Sequence, residues 1–217
     1  MKHLFLIKNN SSALALFFAG WGMDEKPFLH HLVNWDENHP DTDFCICYDY
    51  SDLNLDLSLF EAYKTIRVTA WSMGVWAAGK VLAESSLPIR EAIAINGTSH
   101  PVDKERGITP ETFEGTLNGL SDKNLIRFIR RMCGSETARE AFETNKPSRS
   151  IESLRNELAV IGKKYLEAPD CNTLVWHKAI IGNQDLIFPA ASQRKAWEHH
   201  ITTEIEKAHY FKEIPFI

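Results

Sequence analysis

Ser72 lies in Ala70-Trp71-Ser72-Met73-Gly74, where a β-branched run gives way to helix-period spacing. Strand, sharp turn and helix around a serine match the nucleophile elbow G-x-S-x-G, here with Ala70 in place of the first glycine. Small residues are needed on either side because the strained turn draws strand and helix close together. The same serine could instead cap the helix that follows it, and the motif alone leaves both readings open. A serine at its ordinary pKa is a weak nucleophile, so the first reading requires a histidine to take its proton and an acid to orient that histidine. With the chain order serine, acid, histidine, two residues qualify. Asp185 in "IIGNQDLIFP" follows an apolar strand and precedes a helix, and His209 in "EKAHYF" follows the last strand-like run. An oxyanion hole would use the Met73 amide and an amide of an early strand-to-helix loop. In "FFAGWGMD" the glycines of Gly20-Trp21-Gly22 would let the Trp21 amide face the developing charge, the bland alternative being an ordinary glycine turn.

The other histidines and acids have competing roles. His199 and His200 end a helix, where a cation complements the dipole. His177 lies inside a strand run and reads as structural, and His100 comes too early for the triad order although it could touch substrate. Asp103 and Asp170 lie at the edges of a helical stretch and are less well placed than Asp185.

The elements that must position these groups can be read from periodicity. Strand-like runs occur at "HLFLI", "ALALFFAG", "DFCICYDY", "TIRVTAW", "EAIAING", "NTLVWHKAIIG" and "TTEIEKA", with helix-length segments between several of them, notably 74–84 and 189–198. That alternation predicts an α/β protein with a mostly parallel sheet. Between about 97 and 170 the pattern becomes consecutive helices, with starts at Thr109-Pro110-Glu111 and Ser121-Asp122. Such an insertion predicts a helical cap over the ligand-binding end of the sheet. The 217 residues, 44% hydrophobic, fit one domain over 1–217 that includes this cap.

Composition excludes several classes. Cys45 and Cys47, at i and i+2, share one face of a strand and bridge poorly, so these and Cys133 and Cys171 are expected reduced and half-buried. No paired C-x2-C ligand spacing points to a metal. A net charge of −5 argues against a nucleic-acid-binding surface. The short apolar run in "MKHLFLIKNNSS" reads as a strand, too brief for a signal peptide or membrane span, so the expectation is a cytoplasmic protein with no membrane contact.

Laid end to end, "FAGWGMD", "CYDYSDLNLDL", "AWSMGVW", "INGTSHPVD", "FEGTLNGLSDKNLIRFIRRMCG" and "GNQDLIFPAASQRKAW" closely resemble the BioG type of pimeloyl-[acyl-carrier-protein] methyl ester esterase over nearly the whole chain. The elbow is common to countless hydrolases, whereas "CYDY" and "FEGTL...RRMCG" are far more particular. The resemblance implies an α/β-hydrolase fold with a helical cap and cofactor-free hydrolysis of the pimeloyl-acyl-carrier-protein methyl ester, with release of methanol. It implies Ser72 as nucleophile, Asp185 as acid, His209 as base, and Trp21 and Met73 as the oxyanion amides. One departure is Tyr210-Phe211, which intervene before "IPF" where related esterases commonly carry proline close behind the histidine. The partner implied is an acidic carrier protein, and the chain itself is expected to be a monomer.

Residues 121–167 carry ten Lys or Arg against seven Asp or Glu, a balance of +3 inside a chain of net charge −5. Arg127, Arg130 and Arg131, at helical spacing, with Arg149 and Arg155 following, could grip carrier carboxylates, the alternative being a solvated helix face. A small-ester carboxylesterase or a thioesterase would share every triad residue. A non-catalytic α/β-hydrolase-like binding protein is the remaining alternative, disfavoured because nucleophile, acid and base are all present.

Overall fold

The computed structural model describes residues 1–169 and 174–214. Seven strands form one sheet in the order β1-β3-β2-β4-β5-β6-β7. They are β1 (Lys2–Ile7), β2 (Ala13–Phe18), β3 (Thr42–Tyr48), β4 (Thr65–Trp71), β5 (Ile89–Ile95), β6 (Lys178–Gly182) and β7 (Thr202–Ile205). Only β1 runs antiparallel to its neighbour, and every other pairing is parallel. β2 and β3 are buried over nearly their whole length, because a parallel sheet covered on both faces needs continuous apolar strands rather than alternation. β7, at the edge, does alternate.

Connections below the sheet are short on helix. Between β2 and β3 the chain makes a 3-10 segment (Lys26–Leu32) and a one-turn helix α1 (Trp35–Asn38), and between β3 and β4 only the 3-10 turn Leu57–Phe60. Large aromatics take over the packing there: Phe28, Phe44 and Phe60 are fully buried. Phe17 meets Phe28 edge-on at 4.8 Å, and Trp35 meets Phe44 at 5.0 Å. The regular helices against the sheet are α2 (Met73–Leu82) and α7 (Ala190–Ala196), each slightly shorter than the periodicity predicts.

Between β5 and β6 come α3 (Pro110–Asn118), α4 (Asp122–Cys133), α5 (Glu136–Thr144) and α6 (Ile151–Glu167). Each begins on a hydroxyl: Thr109, Ser121, Ser135 and Ser150 accept the amide three residues on at 3.3, 3.4, 3.2 and 3.2 Å. α4 ends at Gly134, whose φ of 70° provides the left-handed C-terminal residue. α3 crosses α6 so closely that a Cβ at Gly162 would lie 2.7 Å from the Phe113 ring. The segment before α3 is not helical; Asp103 there accepts the amides of Glu105 and Arg106 and pairs with the Arg106 guanidinium at 3.2 Å.

Two expectations are corrected. Cys45, Cys47 and Cys133 are free as expected, but fully buried rather than half-buried, because β3 is covered on both faces and Cys133 closes α4 against the core. Of the strand expected from 172, residues 172 and 173 lie outside the described residues, and among the described ones it begins at Lys178, although the His177 amide already donates to Ala92 O at 2.9 Å. Asp170 and Cys171 lie outside the described residues. Among the described residues no helix is long and apolar enough to cross a membrane.

Candidate active site

β4, β6 and β7 run parallel, so the loops at their carboxyl ends open onto the same edge of the sheet, and these loops carry Ser72, Asp185 and His209. Ser72 turns the chain from β4 into α2 with φ 60° and ψ −129°, a conformation that costs about 1–3 kcal/mol and persists only where its surroundings enforce it. The enforcement is close packing. A Cβ at Gly74 would lie 2.3 Å from Phe18 O, and one at Gly97 would lie 2.2 Å from Ser72 O. Ala70 is accommodated because it is still a strand residue, in register with Phe18 and Ala94.

The Ser72 hydroxyl makes no cap hydrogen bond to α2. It lies 2.9 Å from His209 Nε2, and His209 Nδ1 lies 2.8 Å from Asp185 Oδ2. With the carboxylate accepting from Nδ1–H, Nε2 is left as the acceptor for the serine proton. All three residues are buried, at 5%, 1% and 5% exposure for Ser72, His209 and Asp185. The acid is fixed by further donors: Oδ1 accepts the amides of Ile187 (2.7 Å) and Phe188 (2.9 Å), and Oδ2 accepts Gln193 Nε2 (3.0 Å).

His209 is held through its own backbone. Trp71 Nε1 donates to His209 O at 2.9 Å. The Asn96 amide donates to Ala208 O at 3.0 Å and His209 O at 2.9 Å, and its oxygen accepts the Gly182 amide at 2.6 Å. Asn96, at the end of β5 with φ 46°, thereby ties the loop after β7 to the end of β6. Trp71 and Phe188 flank the imidazole at 5.1 and 6.1 Å, the latter stacked. Asn96, Gln193, Trp71 and Phe188 were not singled out from sequence. The one local signal is the Asn96-Gly97 pair after a strand, which marks a left-handed turn.

The amides of Trp21 and Met73 make no hydrogen bond among the described residues. Met73 begins α2, whose dipole favours negative charge at that end. In the Trp21 loop the two glycines do different work. Gly22 has φ 79°, whereas a Cβ at Gly20 would strike the Trp71 ring at 2.8 Å. The Trp21 indole donates to Leu154 O at 2.8 Å and its ring meets Phe128 edge-on at 5.2 Å. A pocket opens above Ser72, walled by Trp21, Trp71, Ile108, Phe113, Phe128 and Leu158, so the helices between β5 and β6 and the segment before them supply most of its lining.

The competing residues are placed elsewhere. His199 is exposed beside Glu198 at 3.7 Å, and the His200 ring rests on Trp197. His177 Nδ1 accepts the Ala92 amide at 3.1 Å. His100 lies beneath the cap, 3.3 Å from the Tyr165 hydroxyl. Tyr210 anchors the His209 loop: its amide donates to Met132 O at 2.9 Å and its ring packs on Phe142.

The five basic residues singled out separate into two groups. Arg127, Arg130 and Arg131 are exposed on α4, with Arg131 also reaching the pocket and donating to Leu186 O at 2.7 Å. Arg155 is exposed, but its guanidinium donates to Leu117 O (2.9 Å) and Leu120 O (2.6 Å), closing the end of α3. Arg149 is a correction: its side chain is buried between Glu157 (2.6 Å) and Asp49 (3.0 Å), because two buried carboxylates there require a counter-ion, and it is not a surface group. Among the described residues no cluster of His, Cys, Asp or Glu could hold a metal ion.

The family model described as Pimeloyl-ACP methyl esterase BioG matches residues 1–214. A Bacteroides fragilis protein named malonyl-[acyl-carrier protein] O-methyltransferase is 51% identical over 202 residues, which are 92% of this chain but only 40% of that longer protein. The crystal structure of BioG from Haemophilus influenzae superimposes with a TM-score of 0.86 at 35% identity, over 98% of this chain and 95% of that one. An alpha/beta hydrolase from a deep-sea metagenome library matches at TM-score 0.58 and 12% identity, over 96% and 86% of the two chains, a likeness of fold alone.

Proposed function

Because the chain belongs to the Pimeloyl-ACP methyl esterase BioG family and has the α/β-hydrolase fold, we propose that it is a serine carboxylesterase. Its reaction is hydrolysis of the methyl ester of pimeloyl-[acyl-carrier protein] to pimeloyl-[acyl-carrier protein] and methanol, within biotin biosynthesis. The observation that carries this reading is the unbroken relay from Ser72 through His209 to Asp185 at the floor of an apolar pocket.

In that relay Ser72 Oγ gives its proton to His209 Nε2 as it attacks the ester carbonyl carbon. The carbonyl oxygen becomes an oxyanion, which the Trp21 and Met73 amides receive; a donor of this kind is worth about 10²–10³ in rate. As the tetrahedral centre collapses, the C–O bond to the methoxy group breaks and methanol leaves with the proton from Nε2. Water, deprotonated by His209, then cleaves the acyl-Ser72 ester. Asp185 stays ionised throughout, holding the tautomer and balancing the imidazolium. No cofactor takes part.

The aromatic and aliphatic pocket suits a chain of methylenes, and the exposed arginines of α4 suit an acidic carrier. A relative that carries this module inside a longer protein named for methyl transfer on a malonyl carrier protein fits a carrier-bound methyl ester as substrate. The test is incubation of the purified protein with methyl-pimeloyl carrier protein, followed by mass spectrometry of the carrier. Loss of the methyl group with the thioester intact is expected. Release of the whole acyl chain would assign a thioesterase, and hydrolysis of small esters alone would assign a general carboxylesterase.

A further inference from the structure

Four consecutive residues of the Trp21 loop are each bonded to the segment 148–157 of the cap. The Trp21 indole donates to Leu154 O at 2.8 Å, and the Gly22 amide donates to Glu157 Oε2 at 3.1 Å. Met23 O accepts Arg149 Nη1 at 3.4 Å, and Asp24 Oδ2 accepts the Ser148 amide at 2.7 Å. Glu157 is the centre of this set. Fully buried on α6, it also accepts the Tyr50 amide at 2.9 Å through its other oxygen and pairs with Arg149 at 2.6 Å. Arg149 in turn reaches Ser153 Oγ at 2.8 Å and Asp49 at 3.0 Å, and Asp49 meets Lys2 at 3.0 Å. Tyr50 carries the frame back to the sheet, its hydroxyl donating to Ala19 O at 2.6 Å, next to Gly20.

A carboxylate that leaves water is costly unless it meets specific donors, and here two backbone amides and a guanidinium supply them. Burial pushes the Glu157 carboxyl above the usual range, opposed by Arg149 and those two amides. A hydrophobic residue would fill the same space without that cost, so this arrangement is tied to what it holds. The Gly22 amide belongs to the peptide after Trp21, and the indole bond to Leu154 O holds Trp21 itself, so the two contacts together restrict the rotations that orient the preceding peptide, which carries the Trp21 amide.

We propose that Glu157, with Arg149 as its counter-ion, is a positioning residue that sets the Trp21 amide in the oxyanion hole, so that the cap and the hole assemble as one unit. This rests on the serine-esterase reading above. It implies that a displaced cap impairs the chemical step as well as substrate binding.

The experiment compares wild type, Ser72→Ala, Glu157→Gln and Arg149→Lys. Each is assayed on p-nitrophenyl butyrate, and each is titrated with a butyl trifluoromethyl ketone and with the matching amide. The ketone forms a hemiketal oxyanion on Ser72 and so reads the hole, whereas the amide reads only the pocket. Glu157→Gln has one acceptor oxygen for two amides. It is expected to lower kcat per folded molecule about 10-fold to 100-fold, with KM within about two-fold, and to weaken the ketone in step while leaving the amide unchanged. Arg149→Lys, which keeps charge and bulk should Glu157→Gln fail to fold, is expected to show a smaller loss of the same kind. A folded Glu157→Gln or Arg149→Lys with a lower melting temperature but wild-type kcat and wild-type ketone-to-amide ratio would overturn the proposal. If Ser72→Ala hydrolyses the ester and binds the ketone like wild type, the serine reading itself falls and takes the clamp with it. An inert Ser72→Ala beside an unaffected clamp variant would remove the clamp alone.

Discussion

His209 gains its position less from contacts to its ring than from three hydrogen bonds to carbonyls at and before it, given by Trp71 and Asn96. Its two nitrogens are thereby left for Ser72 and Asp185. Groups that act as one unit do not contribute additively. Ser72→Ala and His209→Ala are each expected to lower kcat/KM on a methyl ester by at least about 10³, and the double variant to be little worse than either. Activity surviving His209→Ala but lost in His200→Ala would transfer the base to another histidine. A second residue prediction concerns His31, beside the segment that follows His209; the neighbouring His30 contacts Lys212 O at 3.0 Å. Burial lowers the His31 pKa to about 3, assisted by His30 and Lys212 and opposed by Glu213. Between about 3 and the ordinary value of 6.5 the unfolded chain holds a proton that the native one does not, so stability rises with pH across that window. The urea midpoint is therefore expected to fall from pH 7 to pH 5, and His31→Leu to shrink that fall; an equal pH dependence in both proteins would exclude His31 as a source.

α4 joins three roles in twelve residues: Phe128 and Met132 face the pocket, Met132 O receives the Tyr210 amide behind the histidine, and Arg127 and Arg130 face outward. Arg131 touches the pocket and Arg149 is buried, so a carrier-docking test uses only the outward pair. Arg127→Glu with Arg130→Glu is expected to raise KM for the carrier-bound ester about 10-fold or more while a p-nitrophenyl ester is hydrolysed within about two-fold of wild type. Equal losses on both substrates would mean a damaged cap rather than a lost docking face. The starts of α3 and α4 were legible in the sequence because Thr109-Pro110 and Ser121-Asp122 are local signals, satisfied within four residues. The burial of Arg149 was not, since its partners Asp49 and Glu157 come from β3's end and from α6, and only the fold brings them together. The same reason hid Asn96, whose partners lie more than 80 residues away. Ser72, Asp185 and His209 could be expected near one another because parallel strands put their carboxyl ends on one edge, as β4, β6 and β7 do, making chain order a proxy for position.

The whole molecule carries −5 while residues 121–167 carry +3, so an acidic carrier of the kind proposed would meet two opposing fields. At long range the net charges repel; at contact the α4 arginines attract. Salt screens the long-range component first, with a Debye length of about 8 Å at 0.15 M, and contact pairs survive to higher ionic strength. The sign of the salt effect therefore reports which field governs encounter. If carrier approach is steered by α4, kcat/KM on the carrier-bound ester falls steadily as salt rises from about 0.02 to 0.3 M, because steering of this kind weakens with ionic strength. If overall repulsion governs, the same measurement rises before it falls. Since the α4 face is the outward basic surface beside the pocket, a steady fall is expected for wild type. For Arg127→Glu with Arg130→Glu, where both fields repel, kcat/KM should instead increase with salt from a lower starting point. A p-nitrophenyl ester, which carries no charge to be steered, should be hydrolysed at a rate nearly independent of salt in both proteins. A carrier reaction equally insensitive to salt would place encounter outside electrostatic control and leave α4's outward arginines as solvated surface.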